Sequence, residues 1–222
     1  MKSSFYYQGH YLNIADKIKE YINSCPDFLS HRTAHSPRAV GDAVESLISE
    51  KFDLFLQEWC SEYSKDFARR AMADLAFTDK EGFYSIIDVK THKEDTKFNM
   101  PNLTSVERLA RFYESDLNVF SLILIKYSIQ GTKLTVSEVT FSPIEFLDWG
   151  CLTIGALGWG QIQISDSNNI RLIDGYSRKE WMIELCDTML SFYPKEILKI
   201  KDRIGHFQDI KAHWESREDA WG

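Results

Sequence analysis

Hydrophobic and polar residues alternate most clearly in the segment 74–90. Two runs rich in β-branched and aromatic residues, 74–77 and 83–90, flank a polar turn that contains Gly82. This pattern is typical of a β-hairpin. Successive side chains of a strand point to opposite faces, so Asp88 and Lys90 share a face that Asp74 reaches from the partner strand.

Apolar residues recur at helical spacing in other parts of the chain. The spacing predicts helices over 11–23 and 39–63, with a loop over 25–38 between them. Capping boxes at Thr104 and Ser177 predict further helices, and Pro194 predicts the first turn of another. These later helices are expected over 103–113, from 177 to about 192, and from 194 to about 218.

A second pair of strands is predicted over 119–127 and 133–141, on either side of a Gln-Gly turn. The first of them is almost entirely apolar, as expected of a central strand covered on both faces. Short strands are also predicted over 161–164 and 170–173. The mixture of strands and helices, without an internal repeat or a linker, predicts a single α/β domain over 1–222 with a mixed central sheet flanked by helices.

Composition narrows the class of protein. The 222 residues are 44% hydrophobic and 27% charged, which is typical of a soluble globular chain. No apolar run is long enough for a bilayer and no signal peptide is apparent, so we expect a cytoplasmic protein that binds no membrane. The four cysteines lack a CxxC spacing and are interpreted as free thiols. The net charge of −7 argues against binding to DNA through bulk positive charge, but a cleft can concentrate basic residues locally.

The hairpin carries the candidate chemistry. Two carboxylates and an ammonium on an otherwise apolar strand are costly unless a ligand neutralises them. Asp74, Asp88 and the carbonyl of Val89 are hard oxygen ligands that suit Mg²⁺, and Lys90 lies next to them. The alternative interpretation is a surface hairpin with an ion pair between residues i and i+2.

The spacing of Asp74 from Asp88-Val-Lys90 resembles the signature of the PD-(D/E)xK nucleases, with Ala73 where a proline is usual. The neighbouring motifs make the chain similar to the HincII/EcoRV-like type II restriction endonucleases, and a rare cutter such as SwaI is left open as an alternative relative. These motifs are Gly41-Asp-Ala-Val-Glu45, Asp88-Val-Lys-Thr91, Pro101-Asn102, Ser105, Leu109-Ala110, Gln161-Ile-Gln163 and Arg178-Lys-Glu-Trp181. They lie between about residues 40 and 181.

The resemblance implies a restriction-endonuclease-like fold with a catalytic core over about 40–130. It also implies a homodimer that cuts both strands of double-stranded DNA at a short palindrome, leaving blunt ends with a 5′-phosphate and a 3′-hydroxyl. Asp74 and Asp88 would hold Mg²⁺, for which Mn²⁺ substitutes, while Ca²⁺ would support binding without cleavage. Lys90 would orient or deprotonate water or stabilise developing charge. Glu45 would support a second metal or Lys90, and a solvated helix carboxylate is the alternative for it.

The resemblance also implies a DNA-binding surface. Asn99, Met100 and Asn102 occupy the place of a minor-groove loop, with a plain proline turn as the alternative. The segment of about 150–175 occupies the place of the base-reading segment, with a glycine-rich structural turn as the alternative; its candidate residues are Gly155, Gly158, Trp159, Gly160, Gln161 and Gln163. Lys93 and Arg108 are candidate phosphate contacts.

Two other functions remain open at this point. A structure-specific or repair nuclease of the same fold would cut DNA without a fixed sequence. A DNA-binding or scaffold protein would use the carboxylates only as surface charge. No glycine-rich phosphate loop is present in the sequence, so no nucleotide cofactor is expected.

Overall fold

Five strands form the main sheet. The computed structural model describes residues 2–25, 28–64, 73–97 and 99–218. The strands are β1 (Cys60–Ser64), β2 (Leu75–Asp79), β3 (Tyr84–Lys93), β5 (Asn118–Gln130) and β6 (Lys133–Pro143), and they lie in the order β1-β2-β3-β5-β6. β3 and β5 run parallel, and the other neighbouring pairs run antiparallel. The sheet is therefore mixed, as the sequence predicts.

Short and medium helices cover one face of this sheet. They are α1 (Ser4–Tyr7), α2 (Leu12–Ser24), α3 (His31–Ala34), α4 (Pro37–Ser49) and α5 (Phe52–Leu56). Their apolar stripes are buried in one cluster with side chains of the sheet such as Ile87 and Ile123. Because α2 buries Ile14, Ile18 and Ile22 at a spacing of four residues, the amphipathic pattern accounts directly for its packing.

A second, antiparallel sheet has the order β4-β8-β7. Its strands are β4 (Asn102–Ser105), β7 (Leu152–Gly155) and β8 (Gln161–Ile164), and helix α6 (Val106–Phe112) follows β4 directly. Pro101 and Ile164 line a cavity together with Leu124 and Thr140 of the main sheet. Strand β4, at one edge of the second sheet, belongs to the crossover that joins β3 to the parallel strand β5.

The chain divides into two compact units, Met1–Ser177 and Arg178–Gly222. The second unit contains the long helix α7 (Arg178–Glu215), which continues through Pro194. A single domain over 1–222 stays a prediction. Among the described helices, none combines the length and apolar character that a membrane span requires.

The α/β class with a mixed central sheet is confirmed, but several boundaries differ from the predictions. The segment predicted as one helix over 39–63 is divided into α4, α5 and a 3-10 turn and ends in the edge strand β1. The segment predicted as the start of a helix at 103 is strand β4. Ser105 caps α6 without a side-chain hydrogen bond, so the capping box predicted at Thr104 is wrong. The loop predicted over 25–38 contains α3, and the predicted strand over 170–173 is reduced to a bridge between Leu147 and Leu172.

Candidate active site

The turn between β2 and β3 fixes the register of the hairpin. Asp79 is buried, and its carboxylate accepts hydrogen bonds of 2.9 Å from the backbone N–H groups of both Glu81 and Phe83. Gly82 has a φ of +87°, in the left-handed region that glycine tolerates best. The resulting register pairs Leu75 with Ile87.

This register brings Asp74 opposite Asp88. The backbone N–H of Asp74 donates to the carbonyl of Ile87 at 2.9 Å, which extends the pairing one residue beyond β2. The N–H of Val89 then donates to the Asp74 carboxylate at 2.7 Å. Because the N–H and C=O of a strand residue point the same way, the Val89 carbonyl faces the same side as Asp74. The three oxygen groups predicted as metal ligands therefore lie at one place on the sheet.

Asp88 is a buried carboxylate of this site whose two oxygens have different surroundings. Its side chain is buried, and one carboxylate oxygen accepts a hydrogen bond of 2.7 Å from Lys90 Nζ. Within the described part of the chain, the other oxygen, Oδ2, is buried and has no hydrogen-bond partner. Burial, with smaller contributions from the charges of Asp74 and Glu45, raises the pKa of Asp88 to about 7, although the Lys90 ammonium opposes this effect.

A buried carboxylate oxygen without a partner is costly, and a bound cation would remove that cost. The residues present therefore fit the predicted Mg²⁺ site. Among the described residues, no group of three or more His, Cys, Asp or Glu side chains is arranged to hold a metal ion. The predicted ligand set instead combines two carboxylates with one main-chain carbonyl, and water and a phosphate oxygen would complete it.

Helix α4 brings Glu45 towards the site. Gly41, one turn earlier, packs so closely on β3 that a Cβ there would lie 3.3 Å from Thr91 Oγ1. This close approach lets the half-buried Glu45 contribute to the electrostatic field at Asp88. The structure therefore brings Glu45 into the electrostatic environment of Asp88.

His92 is a residue of this region that the sequence analysis does not single out. It lies in β3 on the same face as Asp88 and Lys90, and its ring contacts two different loops. Nε2 is 2.9 Å from Asn168 Oδ1, and Nδ1 is 3.5 Å from Asn99 Nδ2. A neutral ring with its proton on Nε2 satisfies both contacts. The alternation that pairs residues 88 and 90 extends to 92 and could have identified this histidine.

The predicted minor-groove loop and base-reading segment meet on the small sheet. Asn102 of β4 accepts a hydrogen bond of 2.6 Å from the side-chain amide of Gln163 in β8. Gly155 of β7 lies beside that amide, and a Cβ there would be 2.7 Å from Gln163 Oε1. Gly155 therefore leaves the space that the Gln163 side chain occupies.

The other predicted DNA-binding residues differ in exposure. Trp159 and Met100 are exposed, and Gly158, with a φ of +60°, lies in the exposed tip of the β7–β8 hairpin. Gly160 is buried and its carbonyl accepts a hydrogen bond from Val106 N–H, whereas Gln161 is half-buried. Gly160 is thus placed for a structural contact.

The basic and loop candidates are distributed around these elements. Arg108 is exposed on α6, and Lys93 forms an ion pair of 2.6 Å with Asp95. The carbonyl of Asn99 accepts two hydrogen bonds of 3.2 Å from the N–H and hydroxyl of Ser167. Asn99 is therefore held against the turn that follows β8.

Comparison of the sequence with protein-family models and with curated proteins gave no match.

Proposed function

We propose that this protein is a Mg²⁺-dependent type II restriction endonuclease with a restriction-endonuclease-like core. The observation that carries the proposal is the convergence of Asp74, Asp88 and Lys90, with Asp88 Oδ2 buried and without a hydrogen bond from the described residues. A surface ion pair, the alternative interpretation of the hairpin, would leave both Asp88 oxygens in contact with water. The mixed sheet, with its antiparallel β2–β3 pair followed by parallel β5, is compatible with this fold.

In the proposed reaction, the chain binds and orients one scissile phosphodiester beside the middle of β3, where Asp74 meets Asp88. Asp74 and Asp88 would hold Mg²⁺, which lowers the pKa of bound water and offsets negative charge on the phosphate. Attack by the water oxygen forms a bond to phosphorus while the bond to the 3′ oxygen breaks. The products are then a 5′-phosphate and a 3′-hydroxyl, which receives the proton.

The role of Lys90 follows from its contact with Asp88. Lys90 Nζ donates to Asp88 Oδ1, which is the geometry of an ammonium paired with a carboxylate. This geometry favours orientation of the attacking water or stabilisation of negative charge over removal of a proton. The Lys90 side chain is 29% exposed, so the ammonium lies at the rim of the site, where a backbone phosphate can approach.

The small sheet supports sequence reading by the same protein. The Gln163 amide is held between Asn102 and Gly155, so its orientation is fixed before DNA arrives. Side-chain amides of glutamine and asparagine can pair with adenine in the major groove. A homodimer would present two such surfaces and two sites to a palindrome.

The test is incubation of plasmid DNA with the protein and Mg²⁺. A restriction endonuclease gives discrete fragments whose sequenced ends share one short palindrome. A smear of fragments would instead indicate a nuclease without sequence specificity, and intact plasmid would contradict the proposal.

Two variants identify the residues responsible. Lys90→Ala is expected to bind DNA in Ca²⁺ but to cleave about 10² to 10⁴ times more slowly with Mg²⁺. Lys133→Ala makes the same change at the exposed first residue of β6 and should cleave at the parental rate. Equal rates for Lys90→Ala and the parent protein would show that the active site lies elsewhere.

A further inference from the structure

The second half of α7 exposes a row of apolar side chains. Five of them have exposed fractions between 49% and 67%, namely Ile197, Ile200, Ile204, Phe207 and Trp214. The buried residues of this helix all precede them, the last being Met189. The part of α7 after Met189 buries none of its side chains in the described structure, and most helical stability in proteins comes from packing of an apolar face, so we expect another surface to cover this row.

The spacing of these apolar residues indicates which kind of surface packs on them. With Lys211, the five residues occupy positions 197, 200, 204, 207, 211 and 214, so the steps alternate between three and four. This is the spacing of the a and d positions in a coiled coil, and we call these six positions the α7 seam. A narrow seam along one side of a helix fits another helix better than it fits a flat surface.

We propose that the α7 seam pairs with the same seam of a second copy of this chain, in antiparallel orientation. Ile204 then packs on Phe207 of the second copy, and Ile197 packs on Trp214. This interface lies within the second unit and does not rest on the proposed nuclease function. It goes beyond that function by assigning the residues through which two copies associate.

The charges along α7 favour this occupant and this orientation. Lys211 is the one charged residue of the seam, and a parallel pair would set two Lys211 ammonium groups against each other. In the antiparallel pair, the Lys211 stem covers Ile200 of the second copy and its ammonium reaches solvent. The six seam positions are symmetric about their midpoint, so in the antiparallel pair every seam residue of one copy faces a seam residue of the other. The seam is thus complementary to itself.

The test measures the mass of the full-length chain by light scattering and sedimentation over a range of concentrations. The parent protein is expected to be a dimer, and Ile204→Glu is expected to raise the dissociation constant about a hundredfold or more, because a carboxylate would be buried on Phe207. Leu198→Glu is the matched control. Leu198 is also exposed on α7 but lies outside the seam, so this variant should remain dimeric.

A second pair of variants tests the orientation, and it keeps the test decisive if Ile204→Glu misfolds. Lys211→Leu completes the apolar seam and should lower the dissociation constant. Ile200→Glu should weaken the dimer less than Ile204→Glu, because its carboxylate faces Lys211 of the second copy. In a parallel pair, both glutamates would face their own copies and weaken the dimer equally.

Several results would overturn the inference. A monomeric parent protein would contradict it, as would an Ile204→Glu variant that dimerises like the parent while its circular dichroism shows an intact helix. An equal loss of dimer in Leu198→Glu would show that the seam is not the interface. If Ile204→Glu loses its helix, an unchanged dissociation constant for Lys211→Leu contradicts the inference instead. Plasmid cleavage is assayed separately, so a failure of the seam interface and a failure of the proposed nuclease activity are distinguishable.

Discussion

Asp88 combines burial with a carboxylate oxygen that receives no hydrogen bond from the described residues, and this makes it a source of instability in the metal-free protein. Burial raises its pKa from the ordinary value of 3.8 to about 7. Between these pH values the folded chain keeps a proton that the unfolded chain has released. The stability of the folded state therefore falls as pH rises through this range and stays low above it.

Asp88→Asn should remove this pH-dependent cost. At pH 8 without divalent cations, we expect the variant to be more stable than the parent by on the order of 3 kcal/mol. At pH 4 the difference should largely disappear, because the folded parent then carries a neutral Asp88. Thermal unfolding in the presence of a chelator at both pH values measures this.

The control for this prediction is Asp95→Asn, which changes an exposed carboxylate paired with Lys93. It should show no comparable gain at pH 8. Ca²⁺ should raise the unfolding temperature of the parent and of Asp95→Asn but not that of Asp88→Asn. An Asp88→Asn variant that is less stable than the parent at pH 8 would contradict the assignment.

Gly155 offers a test of the small sheet at a single residue. In Gly155→Ala, the new Cβ displaces the Gln163 amide and so breaks its hydrogen bond to Asn102. A flexible side chain can move, so we expect a stability loss of about 1 kcal/mol or less. DNA affinity or sequence preference should change by a larger factor, which competition binding with Ca²⁺ measures.

Gly205→Ala is the matched control for that change. Gly205 lies in α7, and a Cβ there meets nothing within 4 Å. This variant should keep the parental affinity and gain helix stability. If Gly155→Ala binds every DNA as the parent does, the Gln163 amide does not take part in reading.

At the scale of elements, the β2–β3 hairpin was predictable because its signals are local. Alternation, a polar turn and Gly82 lie within one short segment, and Asp74 meets Asp88 through this turn alone. The edge strand β1 was missed because its residues continue the apolar spacing of the preceding helix. β4 was missed because Thr104 and Glu107 imitate a capping box. The hydrogen bond between Asn102 and Gln163 joins residues 61 positions apart, and no local pattern encodes it.

The continuity of α7 through Pro194 differs from the prediction of two helices. Proline lacks the N–H that would donate to the Leu190 carbonyl, and inside a helix it also crowds the preceding turn. Pro194→Ala should therefore increase helicity and stabilise α7 by about 1 to 3 kcal/mol.

Circular dichroism and hydrogen exchange of the α7 amides measure the effect of Pro194→Ala. Lys195→Ala, at the next exposed position, is the control and should change little. Equal or lower protection in Pro194→Ala would indicate two separate helices, as the sequence predicted.

At the scale of the whole molecule, the net charge of −7 opposes the binding of DNA. Two carboxylates at the proposed phosphate position add to this repulsion until a cation is bound. We expect double-stranded DNA to bind at least about tenfold more tightly in Ca²⁺ than with a chelator at equal ionic strength. Fluorescence anisotropy of a labelled duplex measures this ratio.

Asp74→Asn provides the comparison for that measurement. It removes one of the two carboxylates, so binding without metal should improve while the benefit of Ca²⁺ shrinks. Equal affinity in Ca²⁺ and chelator for the parent protein would favour a DNA-binding protein that needs no cation.

His92 lies two residues after Lys90, and its two ring nitrogens contact asparagines from separate loops. One loop leads into β4, and the other follows β8, so both adjoin the surface proposed to read bases. A ligand that shifts either loop would therefore also displace the strand that carries Lys90. Such a linkage would make cleavage of the DNA backbone by the proposed nuclease depend on the fit of the DNA at the small sheet.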